Sequence, residues 1–270
     1  MTGWLAPTLF VLLALCVATA LFFFAVTRGA LLVRQVGGGA GDAAAHVYPL
    51  YSNPRLMRLV DFQPIISAIL LFQYHRLVSL ITSRLATLDL GGREVLITSC
   101  AFGNVIPRVV DAAHAAGARR VQIADIVQNE LEHVRRKLPG RDESVHYLHD
   151  NAATLPLADG AVSANVLFFL LHELPHPLKA EVLREAVRVL APGGTLYVAE
   201  FHRPEPWVLR ALGWMYFKVF EPYGLALWGS HDPLAQLESF GGLQCERHRV
   251  FFGNFQVIIA TKGPAAAAQA

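Results

Sequence analysis

From Glu94 onward, short runs rich in Val, Ile and Leu alternate with segments of helical apolar spacing, and this alternation limits the fold more than any other feature of the chain. The spacing predicts strands at Val95–Cys100, Arg120–Ile126, His146–Leu148, Ala164–Leu170 and Gly194–Glu200. It predicts helices at Val105–Ala116, Asn129–Lys137 and Leu178–Leu190, the last stopped by Pro192-Gly193-Gly194. Two closing runs, Glu246–Phe252 and Phe255–Thr261, read as a hairpin around Gly253-Asn254. The fold class is therefore α/β, a mostly parallel sheet covered on both faces with a C-terminal antiparallel hairpin strand. Such sheets bind ligands at the carboxyl ends of their strands, so the chemistry is sought there.

The first strand runs into Ser99-Cys100-Ala101-Phe102-Gly103-Asn104, a strand-turn-helix layout with one glycine where nucleotide loops hold two or three. Asn104 suits an N-cap, and Gly117 closes the helix. Asp125 ends the second strand about twenty residues beyond Asn104, the offset at which a carboxylate accepts from both ribose hydroxyls in βαβ folds. An Asp that merely caps the next helix is the alternative. Phe168, Phe169, His172 and Glu173 stand at the fourth strand end, and Glu200, His202 and Arg203 at the fifth. Polar residues converging on one crevice from several strand ends point to a site more firmly than any one of them.

Upstream, Trp4 to Thr27 contains no charged residue, and as a helix would extend roughly 36 Å, enough for a bilayer core. Arg28 and Arg34 follow, with no acidic residue before Asp42, so residues 1–36 read as a single-pass anchor of the cytoplasmic membrane, the remaining chain facing the cytoplasm. A cleaved signal peptide is the alternative, but the run is long for one and lacks a basic leader. Residues 37–47, rich in Gly and Ala, read as a flexible linker, and 264–270 as a disordered tail. Residues 48–92 read as a helical extension broken near Pro64, whose Ile65–Phe72 stretch either packs on the domain at 93–263 or lies in a membrane interface. A net charge of +2 gives nucleic acid no electrostatic footing. Three scattered cysteines make neither a metal spacing nor a disulfide framework.

Together, "YSNP" (Tyr51–Pro54), "LEHVRRKLP" (Leu131–Pro139), "FFLLHELP", "HRPEPW", "EPYGLALW" (Glu221–Trp228) and "FFGNFQ" (Phe251–Gln256) resemble the rhodoquinone-biosynthesis methyltransferase-like family, within the class I S-adenosylmethionine-dependent methyltransferases. The resemblance implies a Rossmann-like methyltransferase fold, S-adenosylmethionine as cofactor and a membrane quinone as acceptor. It also implies an unusual reaction, replacement of a ring methoxy group of ubiquinone by an amino group, with manganese assisting. In that register Ser99, Ala101 and Gly103 take the three glycine positions of the loop, and Ile97 stands where an acidic residue would grip the cofactor's amino group. Cofactor contacts are expected from Ser99, Ala101, Phe102, Gly103, Asn104, Asp125, Ile126, Asp150, Asn151, Ala152 and Phe169. His172, Glu173, His202 and Tyr51 are expected on the acceptor side. The chain departs from the family's pattern where Phe102-Gly103-Asn104 replaces Tyr-Gly-Asp and where Asn151 replaces Asp. Neutral amides there would hold a divalent cation far more weakly than carboxylates. Conventional methylation of a quinone or other lipid-soluble aromatic, and a non-catalytic binding protein that kept the fold, are the competing readings.

Overall fold

In the computed structural model, described for residues 54–264 except 220 and 222, seven strands form one sheet in the order β3-β2-β1-β4-β5-β7-β6. The strands are β1 (Glu94–Thr98), β2 (Arg120–Asp125), β3 (Val145–His149), β4 (Val162–Phe168), β5 (Leu190–Phe201), β6 (Leu243–Val250) and β7 (Phe255–Lys262). Strands β1 to β5 pair in parallel, β6 and β7 pair as the closing hairpin predicts, and β7 lies antiparallel between β5 and β6. The anchor, the linker, Tyr51 and nearly all of the tail lie outside the described residues.

The helices are α1 (Pro54–Val60), α2 (Gln63–Ile69), α3 (Tyr74–Leu85), α4 (Val105–Ala115), α5 (Gln128–Lys137), α6 (His176–Arg188), α7 (Trp207–Val219) and α8 (Pro233–Ser239), with a 3-10 turn at Gly224–Trp228. Side-chain alternation along the strands divides the interior between the two faces. In β1, Val95 and Ile97 pack under α3, α4 and α5, whereas Leu96 packs on the α6 and α8 side. Helix α3 buries Tyr74, Leu77, Val78, Ile81 and Leu85 at helical spacing. Each is worth about 1.5–3 kcal/mol of transfer free energy, which ties the extension to the sheet. Residues from Arg58 onward form one compact unit.

Several boundaries differ from the sequence expectation for a local reason. Strand β1 stops at Thr98 and β4 at Phe168, because Ser99 (φ 74°) and Phe169 (φ 56°) turn into the left-handed region. Strand β6 ends at Val250 because Phe251 and Phe252 do the same. Strand β5 begins at Leu190, so Pro192–Gly194 lies within it rather than before it, beside a register shift in β4. The extension breaks at Asp61-Phe62, with Pro64 inside the first turn of α2, where no intrahelical N–H bond is needed. The Ile65–Phe72 stretch divides: Ile66 and Ile69 pack on the core and Leu70 is buried, while Phe72 is 77% exposed.

Among the described residues, no single helix is long and apolar enough to cross a membrane. The bent pair α2–α3 matches by length and composition, but the buried face of α3 belongs to the core.

Candidate active site

The β1–α4 loop turns through two left-handed residues. Ser99 and Gly103, at the first and last glycine positions, are both left-handed (φ 74° and 80°). A left-handed serine costs about 1–2 kcal/mol and persists only where its surroundings enforce it. Here the enforcing group is the Asp125 carboxylate, which accepts from the Cys100 amide at 2.6 Å, the Val127 amide at 2.7 Å and the Ser99 hydroxyl at 3.3 Å. Burial pushes the Asp125 carboxyl up, against the pull of those donors. Three of its roughly four acceptor sites thus serve the loop and the start of α5, which leaves about one, on Oδ1, for a ligand.

Gly103 is required by packing as well as by its φ, since a Cβ there would overlap the ring and hydroxyl of Tyr74. The Tyr74 hydroxyl donates to the Phe102 carbonyl at 3.1 Å. Asn104 makes no side-chain capping bond, and its Oδ1 is buried without a hydrogen-bond partner, contrary to the N-cap expectation. The helix-start amides are satisfied from the extension instead. Gly103 donates to Asp61 at 2.8 Å and Asn104 to Gln63 Oε1 at 3.2 Å. Lys137 binds both Asp61 and the Gly103 carbonyl, and His133 Nε2 lies 3.1 Å from Asp61. Burial works against the charged carboxylate, but His133, Lys137 and the Gly103 amide hold Asp61 below the usual range.

Ile97 is 2% exposed in the α3–α4 core, so the position of the missing acid is filled with packing. Beyond β3, Asp150 donates its amide to the Asp125 carbonyl at 3.0 Å. Asn151 Oδ1 accepts from Ala153 at 2.9 Å, a local turn that carries Ala152. Ile126 is exposed beside these turns. Glu130, on the buried face of α5, has one carboxylate oxygen without a partner. Burial, and then the neighbouring Asp125, push its pKa up to about 8 against Lys137.

A second cluster lies at the ends of β4 and β5. His172 is buried, with Nδ1 3.1 Å from Glu200 Oε1, and its amide donates to Glu200 Oε2 at 3.2 Å. Glu173 Oε1 stands 4.0 Å from His172 Nε2. Burial disfavours the imidazolium, but Glu200, then Glu173 and Glu221, outweigh it and push the pKa up to about 9. Buried Lys179 donates to the Leu171 carbonyl and, at 2.6 Å, to that of Leu174. Burial draws its pKa down to about 8 against Glu200 and Glu221. Phe169 makes edge contacts with Phe168, His172, Phe201 and Phe255, an aromatic wall beside the dyad.

The structure therefore brings together His172, Glu173, Glu200 and Phe169, but not His202. The His202 ring is occupied by the hairpin, Nδ1 by the Gly253 carbonyl at 2.7 Å and Nε2 by Arg247 at 3.4 Å, and Arg203 is exposed. Tyr51 lies outside the described residues. Among the described residues no group of His, Cys, Asp and Glu is arranged to hold a metal, and Asn151 spends its side-chain oxygen on a turn. These residues do not fit a manganese site. Sequence reading missed Asp61, Gln63 and Glu130. For Glu130 the available signal was charge at 130, 133 and 137, all on the inward face of α5.

A seven-stranded sheet with this order, and strained residues at the ends of β1 and β4, define a Rossmann-like fold of the methyltransferase type. Solved structures agree on the fold: an O-methyltransferase family protein from Burkholderia thailandensis (TM-score 0.58, 15% identity, 80% of this chain and 62% of that one) and the YcgJ protein from Bacillus subtilis (0.55, 13%, 71% and 100%). Residues 63–230 match the ubiE/COQ5 methyltransferase family, and the chain belongs to it. Relatives include a demethylmenaquinone methyltransferase from Clavibacter sepedonicus, 36% identical over 111 residues (41% of this chain, 44% of that protein). A ubiquinone/menaquinone biosynthesis C-methyltransferase UbiE from Nitrobacter hamburgensis is 35% identical over 125 residues (45% and 49%). The chain spans about half the length of such relatives. Their names speak of menaquinone and ubiquinone, and none of them narrows the resemblance to rhodoquinone biosynthesis.

Proposed function

We propose that this chain is an S-adenosylmethionine-dependent transferase whose acceptor is a lipid-soluble quinone, and that its reaction is methylation of the reduced ring. The family match carries this reading. The loop supports cofactor binding, since Ser99 and Gly103 are left-handed at the first and last of its three glycine positions. Ser99, Ala101, Phe102, Gly103 and Asn104 would follow the methionine portion, Asp125 and Ile126 the ribose, and Asp150, Asn151, Ala152 and Phe169 the adenine side. When bound, the cofactor supplies an electrophilic methyl group.

The remaining work falls to the second cluster. With its pKa near 9, His172 is protonated at neutral pH and acts as a hydrogen-bond donor to an acceptor oxygen rather than as a base. Glu200 fixes the imidazolium. Glu173, beside His172 Nε2, is placed to take the proton that the ring carbon loses as its bond to the methyl forms. The uncharged Trp4–Thr27 run and the arginines after it support work at the cytoplasmic membrane, where such quinones reside.

Amination is the second reading, favoured by Ile97. With Ile97 there, a bound cofactor's amine would lack the carboxylate partner that holds it protonated, and the cofactor would supply nitrogen rather than a methyl group. The test is expression in a host that makes ubiquinone but not rhodoquinone, with S-adenosylmethionine labelled by carbon-13 in the methyl group or nitrogen-15 in the amine. Mass spectrometry of the quinones is expected to show the labelled methyl in a new product. Labelled nitrogen instead establishes amination. Neither label, together with no calorimetric binding at millimolar cofactor, overturns both in favour of a non-catalytic protein.

A further inference from the structure

Every exposed large apolar side chain among the described residues belongs to segments at the carboxyl edge of the sheet. These segments are α1 with the two connections that follow it, the end of β2, α7, and the β6–β7 turn. Their placement is fixed by contacts. The α1–α2 connection holds the Gly103 amide through Asp61, and the α2–α3 connection leads into Tyr74, bonded to Phe102. Helix α7 packs Phe217 on Phe201 at the end of β5 (5.1 Å between centroids), and the hairpin turn bonds His202 through Asn254. The side chains displayed are large: Phe72 is 77% exposed, Trp207 72% and Phe252 65%. Leu212, Trp214 and Met215 on α7 are each more than half exposed. Phe72 and Phe252 sit on left-handed backbone (φ 60° and 51°), strain that core packing does not repay, since both rings face solvent.

We infer that this edge is a membrane-docking face, and that its occupant is the surface of a bilayer containing acidic lipids. Charge favours lipid over a second copy of the chain. Helix α7 carries Arg210 and Lys218 and no acidic residue, so two such faces repel while acidic headgroups attract them. Its two tryptophans have the amphipathic character that concentrates at headgroup depth. The uncharged Trp4–Thr27 run, followed by Arg28 and Arg34, also favours a bilayer as the occupant. The proposal is independent of which group is transferred, and it explains how an acceptor dissolved in lipid meets the site without crossing water.

The test uses the full chain in vesicles of phosphatidylcholine and phosphatidylglycerol that contain a lipid with a diazirine in its acyl chain. After irradiation, peptide mass mapping is expected to find adducts on the segments around Phe72, Trp207–Met215 and Phe252. The double substitution Leu212→Glu and Met215→Glu is expected to lower adduct yield on α7 by at least about tenfold, since burying either side chain accounts for that factor. Its melting temperature should stay within about a few degrees of the parent's, both side chains being already more than half exposed. Adducts confined to the first 53 residues overturn the proposal. So does an absence of lipid adducts on α7.

Discussion

Single side chains in this protein depart from expectation most where a carboxyl group is buried. Glu130 is nearly sealed from solvent, with Asp125 beside it and Lys137 only partly compensating, so its pKa of about 8 reflects a folded state that holds a proton. An acid whose folded pKa is raised loses stability as pH climbs from its unfolded value through the folded one. Glu130→Gln keeps the shape and removes the charge. The expected result is a variant that gains on the parent progressively between about pH 5 and pH 8, by up to a few kcal/mol. Urea unfolding of both proteins at several pH values measures that difference. A gap independent of pH would mean that Glu130 is ionised at neutral pH and finds a partner. The same residue-level view applies to Asp125, which the offset rule assigns to a ribose. Its three internal hydrogen bonds make it first a residue that positions the loop.

Between elements, the decisive joint is the one that sequence spacing could not reveal. The α1–α2 connection reaches the β1–α4 loop through Asp61, which serves the Gly103 amide, Lys137 and His133 together. Asp61→Ala leaves a buried amide and a half-buried ammonium without their acceptor, and is expected to cost about 2–4 kcal/mol. It should also raise hydrogen exchange at Gly103 far more than at amides of β4; equal rates in both places would assign Asp61 a global role only. The strands and α4 to α6 were legible because their apolar periods are clean. So was the closing hairpin with its one antiparallel strand, but not that β7 rather than β6 would pair with β5, since either strand of a hairpin can extend the sheet. Helix α7 was not foreseen, since it is apolar on its solvent face as well and shows no single stripe. Helix α8 was also missed, although Asp232 followed by Pro233 is a start signal, and the cap forms. Asn104 looked like a cap, but donors satisfied by residues some forty positions away are invisible to local rules.

At the scale of the whole molecule, a buried charge network joins parts of the chain that no single element holds. Glu200 on β5 accepts from the amides of His172 and Phe201 and faces the His172 ring, while Lys179 on α6 and Glu221 act on the same groups by charge. The chain stabilises this imidazolium in its interior, as an enzyme needs if His172 is to offer a proton at neutral pH. Because the folded pKa of His172 is raised to about 9 from about 6.5, the pair's stability is fully present below pH 6.5 and disappears as pH rises through 9. Glu200→Gln deletes the charge and keeps an acceptor oxygen for only one of the two amides, so it should cost on the order of a few kcal/mol at pH 6. The deficit relative to the parent should shrink steadily as pH rises from about 6.5 towards 8, where Lys179 is itself about half titrated. On the proposed reading, in which His172 donates to the acceptor, transfer activity should fall by a factor of about 100 to 10,000 at neutral pH with the cofactor's dissociation constant unchanged. A loss of cofactor binding equal to the loss of rate would instead show that the two clusters are one site, with His172 supporting the loop.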